Sequence, residues 1–436
     1  MKEVPTPTLI DVAQLRIGMF VHLDGGWMSH PFPLSSFKIG SAAQIATIRS
    51  LGKQRVRWSP EKSDPAAVES LTHPDAADDP SLPDTVPAET LMAPAVENAE
   101  AVQRRRHREA LQAQREALQL CEAQFAEATS ACKRASEIVL TQPQVAREQT
   151  EALAQAFVDK MIGQQDMCIR LLTEAAGDKA SLHAVNVAVI SLLMGKTFGL
   201  SAAEMLDLGV GAMLHDIGKI ELPERVRHRE EHFTPAENQF YQEHVAHGVT
   251  IAKKMGLATG ATLVVAQHHE HADGSGFPLK LNSDRMTIPA RIVSLINRYD
   301  NMCNPHVPSR ALTPHEALSL LFAQGKNRYD TAILGSFIKM MGVYPPGSVV
   351  QLTDDRYAMV VSVNSSRPLK PRVMVHEAKV PRDEALLLNL ECEPRLGIRR
   401  SLKPQQLPTE SLDYLSPRTR VAYFFEPYTA PLEEAA

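Results

Sequence analysis

Residues 201–219 read SAAEMLDLGVGAMLHDIGK. Ser201 stands three residues before Glu204, the capping-box spacing in which two side chains satisfy backbone N–H groups of a helix's first turn. Apolar and small residues follow at helical period. The segment then runs into His215-Asp216, Gly218 and Lys219. An adjacent imidazole and carboxylate at the end of an apolar helix need partners, because a buried carboxylate without them is costly.

Those partners are sought among neighbouring segments of the same character. Residues 145–340 read as nearly all helix, with segments at 148–174, 179–196, 201–215, 235–255, 258–269, 288–302, 314–325 and 329–341. Thr234 and Thr313 each precede a proline at a first helical position. This block carries His183, the pair His215-Asp216, His244, the pair His268-His269, and Asp300, near the middle or end of different helices. Imidazole nitrogen together with carboxylate oxygen suits a borderline divalent metal, iron or manganese rather than zinc once coordination exceeds four. Asp216 has two oxygens and can bridge two ions, and two ions suit in-line phosphoryl displacement. Gly218 either ends the helix or admits a close backbone approach, and Lys219 is then placed to hold a phosphate oxygen or to polarise the attacking water.

Residues 268–278, HHEHADGSGFP, leave a helix into a loop that shapes the rim of the site. Asp273 is placed to orient a ligand histidine from behind, and His247, three residues after His244, shares its helix face. Nine of the sixteen histidines lie between His183 and His271. Five of them are assigned here as ligands. His228, His232, His306, His315 and His376 read as surface or satisfied residues, and His271 as rim.

Beyond this block the organisation changes. Residues 1–60 read as a small α/β domain with Trp27, Phe32 and Phe37 as its core, and 61–100 as an acidic, proline-rich linker. That linker has six prolines and ten acidic residues against one lysine. Residues 101–140 lack proline and glycine and place Leu111, Leu118, Cys121, Phe125, Ala128, Cys132, Ala135 and Val139 at three- and four-residue spacing. This is a long amphipathic helix, with a coiled-coil homodimer as its sharper reading. Residues 145–345 form the helical block that carries the candidate ligands. After Pro345-Pro346 the pattern alternates, and 346–436 read as a β-rich tail that ends weakly ordered. The fold class expected is multidomain and mainly α, an all-helical bundle with α/β and β additions. The net charge of -5 argues against polymeric nucleic acid. Five scattered cysteines suggest reduced thiols, and with neither a signal peptide nor a long uncharged apolar window the expected setting is cytoplasmic, without membrane insertion.

The residues His183-Ala-Val-Asn-Val, His215-Asp216-Ile-Gly-Lys219, His244 with Gly248, HHE with DGSG and Pro278, and the stretch RYDNMCNP around Asp300 strongly resemble the HD-GYP family of the HD phosphohydrolases. The resemblance covers about 150–345. It implies a binuclear iron or manganese centre that degrades cyclic di-GMP to linear pGpG, or on to GMP. One ion would sit on His183, His215, Asp216 and Asp300, and the other on Asp216, His244, His268 and His269. Lys219 would contact the scissile phosphate, and Arg291 the substrate or rim. Residues 8–60 are similar to the small domain of unknown function that often precedes this family. The resemblance also implies a docking role for the Gly276-Phe277-Pro278 loop toward cyclic di-GMP synthases.

Two departures stand out. Phe277 replaces the family's tyrosine and lacks its hydroxyl. Lys179 stands where some relatives carry the glutamate of a third metal, so two ions are expected. Two rivals remain at this point, a receptor that binds cyclic di-GMP without turnover and a hydrolase of another cyclic dinucleotide or nucleotide.

Overall fold

The computed structural model describes residues 8–23, 36–51, 54–64, 67, 99–162, 166–173, 178–228 and 233–428. The chain divides into two units, Met1–His107 and Arg108–Ala436.

In the first unit, strands β1 (Thr8–Asp11), β2 (Phe20–His22) and β3 (Ser36–Lys38), helix α1 (Ala42–Ser50) and strand β4 (Arg55–Trp58) form an antiparallel sheet of order β1-β4-β2-β3 with one helix. Its core is Ile10, Met19, Val21, Ile39, Ile48, Val56 and Trp58. Trp27, Phe32 and the side chain of Phe37, expected as that core, lie outside the described residues, as does most of the 61–100 linker.

Helix α2 (Ala99–Ile138) leads into the second unit, followed by α3 (Pro143–Ile162). The seam read as a dimer contact is buried within the chain. Cys121, Phe125, Ala128, Cys132, Ala135 and Val139 are all buried, and Phe125 meets Phe424 edge-on at 6.3 Å. A homodimer through this seam is therefore not supported: the periodicity identified an apolar face, and the same chain covers it.

The expected helix 148–174 is instead α3 followed by strand β5 (Met167–Leu171), all five residues of which are buried. Then come α4 (Lys179–Thr197), α5 (Ala202–Leu214), α6 (Pro235–Met255), α7 (Thr259–Gln267), α8 (Ile288–Cys303), α9 (Pro314–Gln324) and α10 (Thr331–Met341). The capping boxes at Ser201/Glu204, Thr234/Glu237 and Thr313/Glu316 are all formed. Helix α4 is long and apolar enough by composition to cross a membrane, and most of it is buried, which is the position of a core helix.

The last part comprises β6 (Val349–Leu352), β7 (Tyr357–Asn364), β8 (Arg372–Val375), β9 (Leu388–Asn389), β10 (Ile398–Leu402), α11 (Thr409–Leu415) and β11 (Tyr423–Pro427). The sheet runs β10-β6-β7-β5-β11, with β8 paired to β7 and β9 to β8. So the helical block is not all-helical, and the β-rich segment is not merely appended to it. Strand β5 pairs with β7 on one side and β11 on the other. Arg170 and Glu426 form a buried ion pair at 2.8 Å across that junction. Phe157 packs edge-on against Phe424 and Phe425 at 5.8 and 5.7 Å. Each such pair adds about 0.5–1.5 kcal/mol beyond the area it buries.

Candidate metal centre

Four imidazoles converge because each has its Nδ1 held from behind. His215 closes α5 and its Nδ1 faces the Ala212 carbonyl at 2.7 Å. His268 closes α7 and does the same with Val265 at 2.8 Å. His244, inside α6, uses the Tyr241 carbonyl at 2.5 Å. His183, in the second turn of α4, holds Asp300 Oδ2 at 2.6 Å. A carbonyl or carboxylate can only accept, so each Nδ1 carries the proton and each Nε2 a lone pair.

These Nε2 atoms meet in pairs, His183 with His215 at 3.2 Å and His244 with His268 at 3.3 Å. Asp216 stands between the pairs. Its Oδ2 lies 3.7 and 3.4 Å from His183 and His215, and its Oδ1 lies 3.7 and 3.6 Å from His244 and His268. Two lone pairs at such distances repel unless an electrophile lies between them. Asp216 Oδ1 and His269 Nε2 are also buried without a hydrogen-bond partner. The donors fit divalent cations in two groups, Asp216-His244-His268-His269 and His183-His215-Asp216, the donor atoms of each lying within 4.8 Å of one another.

Asp216 reaches α6 because two backbones touch. Gly218 lies in a short 3-10 turn, Ile217–Glu221, and a Cβ there would fall 1.9 Å from the His244 carbonyl oxygen and 2.4 Å from the Gly248 nitrogen. Of the two roles expected for Gly218, close approach is the one found. Lys219 follows, its Nζ 2.6 Å from Asp216 Oδ2 and 5.5 Å from the centre of the Tyr241 ring.

Electrostatics prepare the donors. Burial lowers the pKa of His215, takes His244 down to about 3 and puts His269 well below its ordinary value. All three are therefore neutral and able to ligate. Burial would raise Asp216, yet Lys219 and then His215 outweigh it and hold the carboxyl well below the usual range. Burial would lower Lys219, and Asp216 raises it instead.

Several expected site residues have other posts. Asp300 belongs to neither donor group. Both its oxygens are taken, Oδ2 by His183 and Oδ1 by the side-chain amides of Asn186 and Asn304, each at 2.9 Å. Arg291 does not line the cavity: its guanidinium donates to Asp330 at 2.9 Å and to the Met286 carbonyl. Asp273 accepts from the Ser275 N–H at 2.9 Å and pins the loop rather than a ligand histidine; four of those rings are held instead by carbonyls and Asp300. His247 is half-buried, outside both donor groups and outside the cavity lining.

Gly276 and Phe277 do line the rim, while Pro278 is exposed and does not. A Cβ on Gly276 would lie 2.4–2.5 Å from backbone of His269, Glu270 and His271. The Phe277 ring stacks on His269 at 4.5 Å and packs with Leu222, Val226 and Tyr241. The ring is half-buried against this wall of the site.

Sequence reading missed Glu270, which is fully buried and accepts the N–H groups of Leu279 and Leu281 at 2.6 and 2.8 Å. It also missed Asn186 and Asn304. The signal was present: Asn186 follows His183 by three residues and Asn304 follows Asp300 by four, so each shares a helix face with its neighbour. The whole centre opens into a cavity of about 1270 Å³ that Lys179, Lys219, His228, His306 and Arg420 also line.

Residues 164–333 match the HD domain family model. Residues 8–150 match a domain of unknown function, DUF3391, so that match runs past the boundary at residue 60 and through α2. A cyclic di-GMP phosphodiesterase of Pseudomonas aeruginosa is 24% identical over 387 residues, 85% of this chain and 86% of that protein. The cyclic di-GMP phosphodiesterase PdeB of Borreliella burgdorferi is 23% identical over 192 residues, 44% of this chain and 51% of its own length. A 3'3'-cGAMP-specific phosphodiesterase of Vibrio cholerae is 31% identical over 129 residues, 29% of this chain and 25% of that protein. The chain thus spans about half of the second relative and a quarter of the third.

Proposed function

We propose that this chain, which carries an HD domain behind a DUF3391 domain, is a metal-dependent phosphodiesterase that hydrolyses cyclic di-GMP to linear pGpG. The observation that carries the reading is the placing of one Asp216 oxygen against each pair of convergent imidazole lone pairs. His183, His215 and Asp216 would hold one ion, and Asp216, His244, His268 and His269 the other. Mixed nitrogen and oxygen donors with open positions favour iron or manganese. Bound there, two such ions supply an activated water and charge stabilisation for in-line displacement at phosphorus.

The chain's own residues do the rest. Asp300 accepts from His183 Nδ1 and fixes the ring that faces Asp216. Lys219 keeps Asp216 ionised and presents its remaining N–H donors to a non-bridging phosphate oxygen, where they oppose the charge that grows during displacement. Phe277 and Gly276 wall the rim and keep water from the His269 side. Five free cysteines, four of them buried, fit a reducing compartment, and we place the protein in the cytoplasm.

The test is turnover by the purified full chain, reconstituted anaerobically with Fe(II) or Mn(II), followed by chromatography of the products. Cyclic di-GMP should give pGpG, and Asp216→Ala should abolish both turnover and metal retention. Cleavage of 3'3'-cGAMP with cyclic di-GMP left intact would refute the substrate assignment. Tight binding of cyclic di-GMP without product would make the chain a receptor.

A further inference from the structure

The metal centre occupies only one side of its cavity. On another stands a group of side chains that the reaction at phosphorus does not use. Lys179, at the start of α4, donates from Nζ to His306 Nδ1 at 3.2 Å. That bond leaves the His306 proton on Nε2 as a second donor. The His228 ring lies flat on His306, centroids 4.2 Å apart and planes 15° from parallel. Arg420 lines the same cavity from the far end of the chain, well past the segment that matches the HD family.

Charge in this corner is of one sign. After burial, what depresses the Lys179 pKa is the nearness of Arg420 and then Lys219. His228 is pulled down to about 4 by burial and then by His306, Lys219 and Lys179, with Asp216 the one group acting the other way. Asp216 is itself held by Lys219 at 2.6 Å. Cations gathered in one concave wall favour an anionic ligand.

The backbone next to Arg420 is pinned by hydrogen bonds. The N–H of Val421, its neighbour, donates to Asn304 Oδ1 at 2.9 Å, and the Val421 carbonyl accepts from Asn186 and Asn304 at 3.0 and 2.9 Å. These are the same two asparagines that hold Asp300. One buried network therefore sets both the carboxyl behind His183 and the residue that enters the cavity opposite.

We infer that Lys179 and Arg420, flanked by the stacked His228 and His306, hold the second phosphate of the cyclic dinucleotide, the one that is not cut. The inference rests on the function proposed above and extends it. At Lys179, where a carboxylate would recruit a cation, this chain supplies a fixed ammonium of its own. A dinucleotide ring has two phosphates, and a cavity of about 1270 Å³ exceeds the range of about 300–1,000 Å³ common for small-molecule sites.

The experiment compares two substrates on the metal-loaded full chain. Cyclic di-GMP carries two phosphates and bis(p-nitrophenyl) phosphate carries one. Lys179→Met and Arg420→Met should each raise KM for cyclic di-GMP about tenfold or more, the loss expected for one charge-assisted contact, with kcat changed far less. KM and kcat for bis(p-nitrophenyl) phosphate should stay within about twofold, and Lys179→Arg should recover most of the lost affinity. An unchanged KM for cyclic di-GMP in either Met variant overturns the inference, as does an equal loss on both substrates. If the wild type cleaves bis(p-nitrophenyl) phosphate but no cyclic dinucleotide, the proposed function falls by itself. Calorimetric titration with cyclic di-GMP then decides the subsite, and equal affinity in wild type and Lys179→Met rejects it.

Discussion

Replacing Glu270 by glutamine changes one oxygen into an NH₂ group and little else. In the native chain the Leu279 and Leu281 N–H groups point at the two carboxyl oxygens, 2.6 and 2.8 Å away, in a fully buried setting. Glutamine accepts with only one oxygen, so one backbone donor is left facing another donor. An unsatisfied buried donor costs about 1–3 kcal/mol. The loop from Gly274 to Leu281 opens locally, so that cost appears as a larger open population rather than as global unfolding. At 1.4 kcal/mol per factor of ten, amide exchange at positions 279 and 281 should quicken by about 5- to 150-fold. Hydrogen exchange read by mass spectrometry on peptides spanning 275–285 measures it, with peptides from β7 as the reference. Turnover should drop as well, because Phe277 rides on this loop and stacks on His269. Equal exchange in both proteins would refute the clamp. Acceleration everywhere, β7 included, would show that the change destabilises the whole unit instead.

Other substitutions follow from the same geometry. Gly218→Ala places a methyl 1.9 Å from the His244 carbonyl and should cost about 4 kcal/mol or more, with loss of bound metal; a normal denaturation midpoint with full metal content would be incompatible with the close approach. Glu426→Ala leaves Arg170 buried and unpaired and should cost about 3–5 kcal/mol by urea unfolding. The metal-free chain should lose stability on acidification. The folded pKa of His244 is about 3, below the unfolded value of about 6.5, so the unfolded chain takes up the proton first. Stability is complete above about pH 6.5 and falls toward pH 3, with a loss on the order of 3 kcal/mol by pH 4.5 from His244 alone; His215 and His269 act in the same direction. A urea midpoint that does not move between pH 7.5 and 4.5 would contradict neutral, buried imidazoles.

Features that depend on near neighbours were legible before any coordinates. The capping box at Ser201/Glu204 formed where its spacing placed it, since both partners lie within one turn. The helix starts read at Thr234-Pro235 and Thr313-Pro314 were found there too, each with a capping box that sequence reading did not name. The five imidazoles and Asp216 also came together, because each sits on, or just past the end of, a helix whose apolar face was readable. Strand β5 was not readable as a strand. MCIRL is a short run buried along its whole length, and such a run cannot be told from a helix turn by period. Its partners Ser362 to Asn364 and Tyr423 to Pro427 lie far away in sequence. The α2 seam shows the converse: spacing located the apolar face, and only tertiary packing could say what covers it. With Asp300 the residue type and helix were right, but which side of His183 its oxygens meet is fixed by Asn186 and Asn304.

The junction of β5 with β11 also has a consequence in time. Arg170 and Glu426 are 256 positions apart. A ribosome adding roughly 5–20 residues per second needs about 13–51 s to travel between them. Once His269 has been added, the histidines and Asp216 all exist, while the Val421 peptide that braces Asn186 and Asn304 does not. The nascent chain therefore holds its metal donors before it holds the brace behind them. The architecture delays a finished metal centre until Val421 and strand β11 have been made.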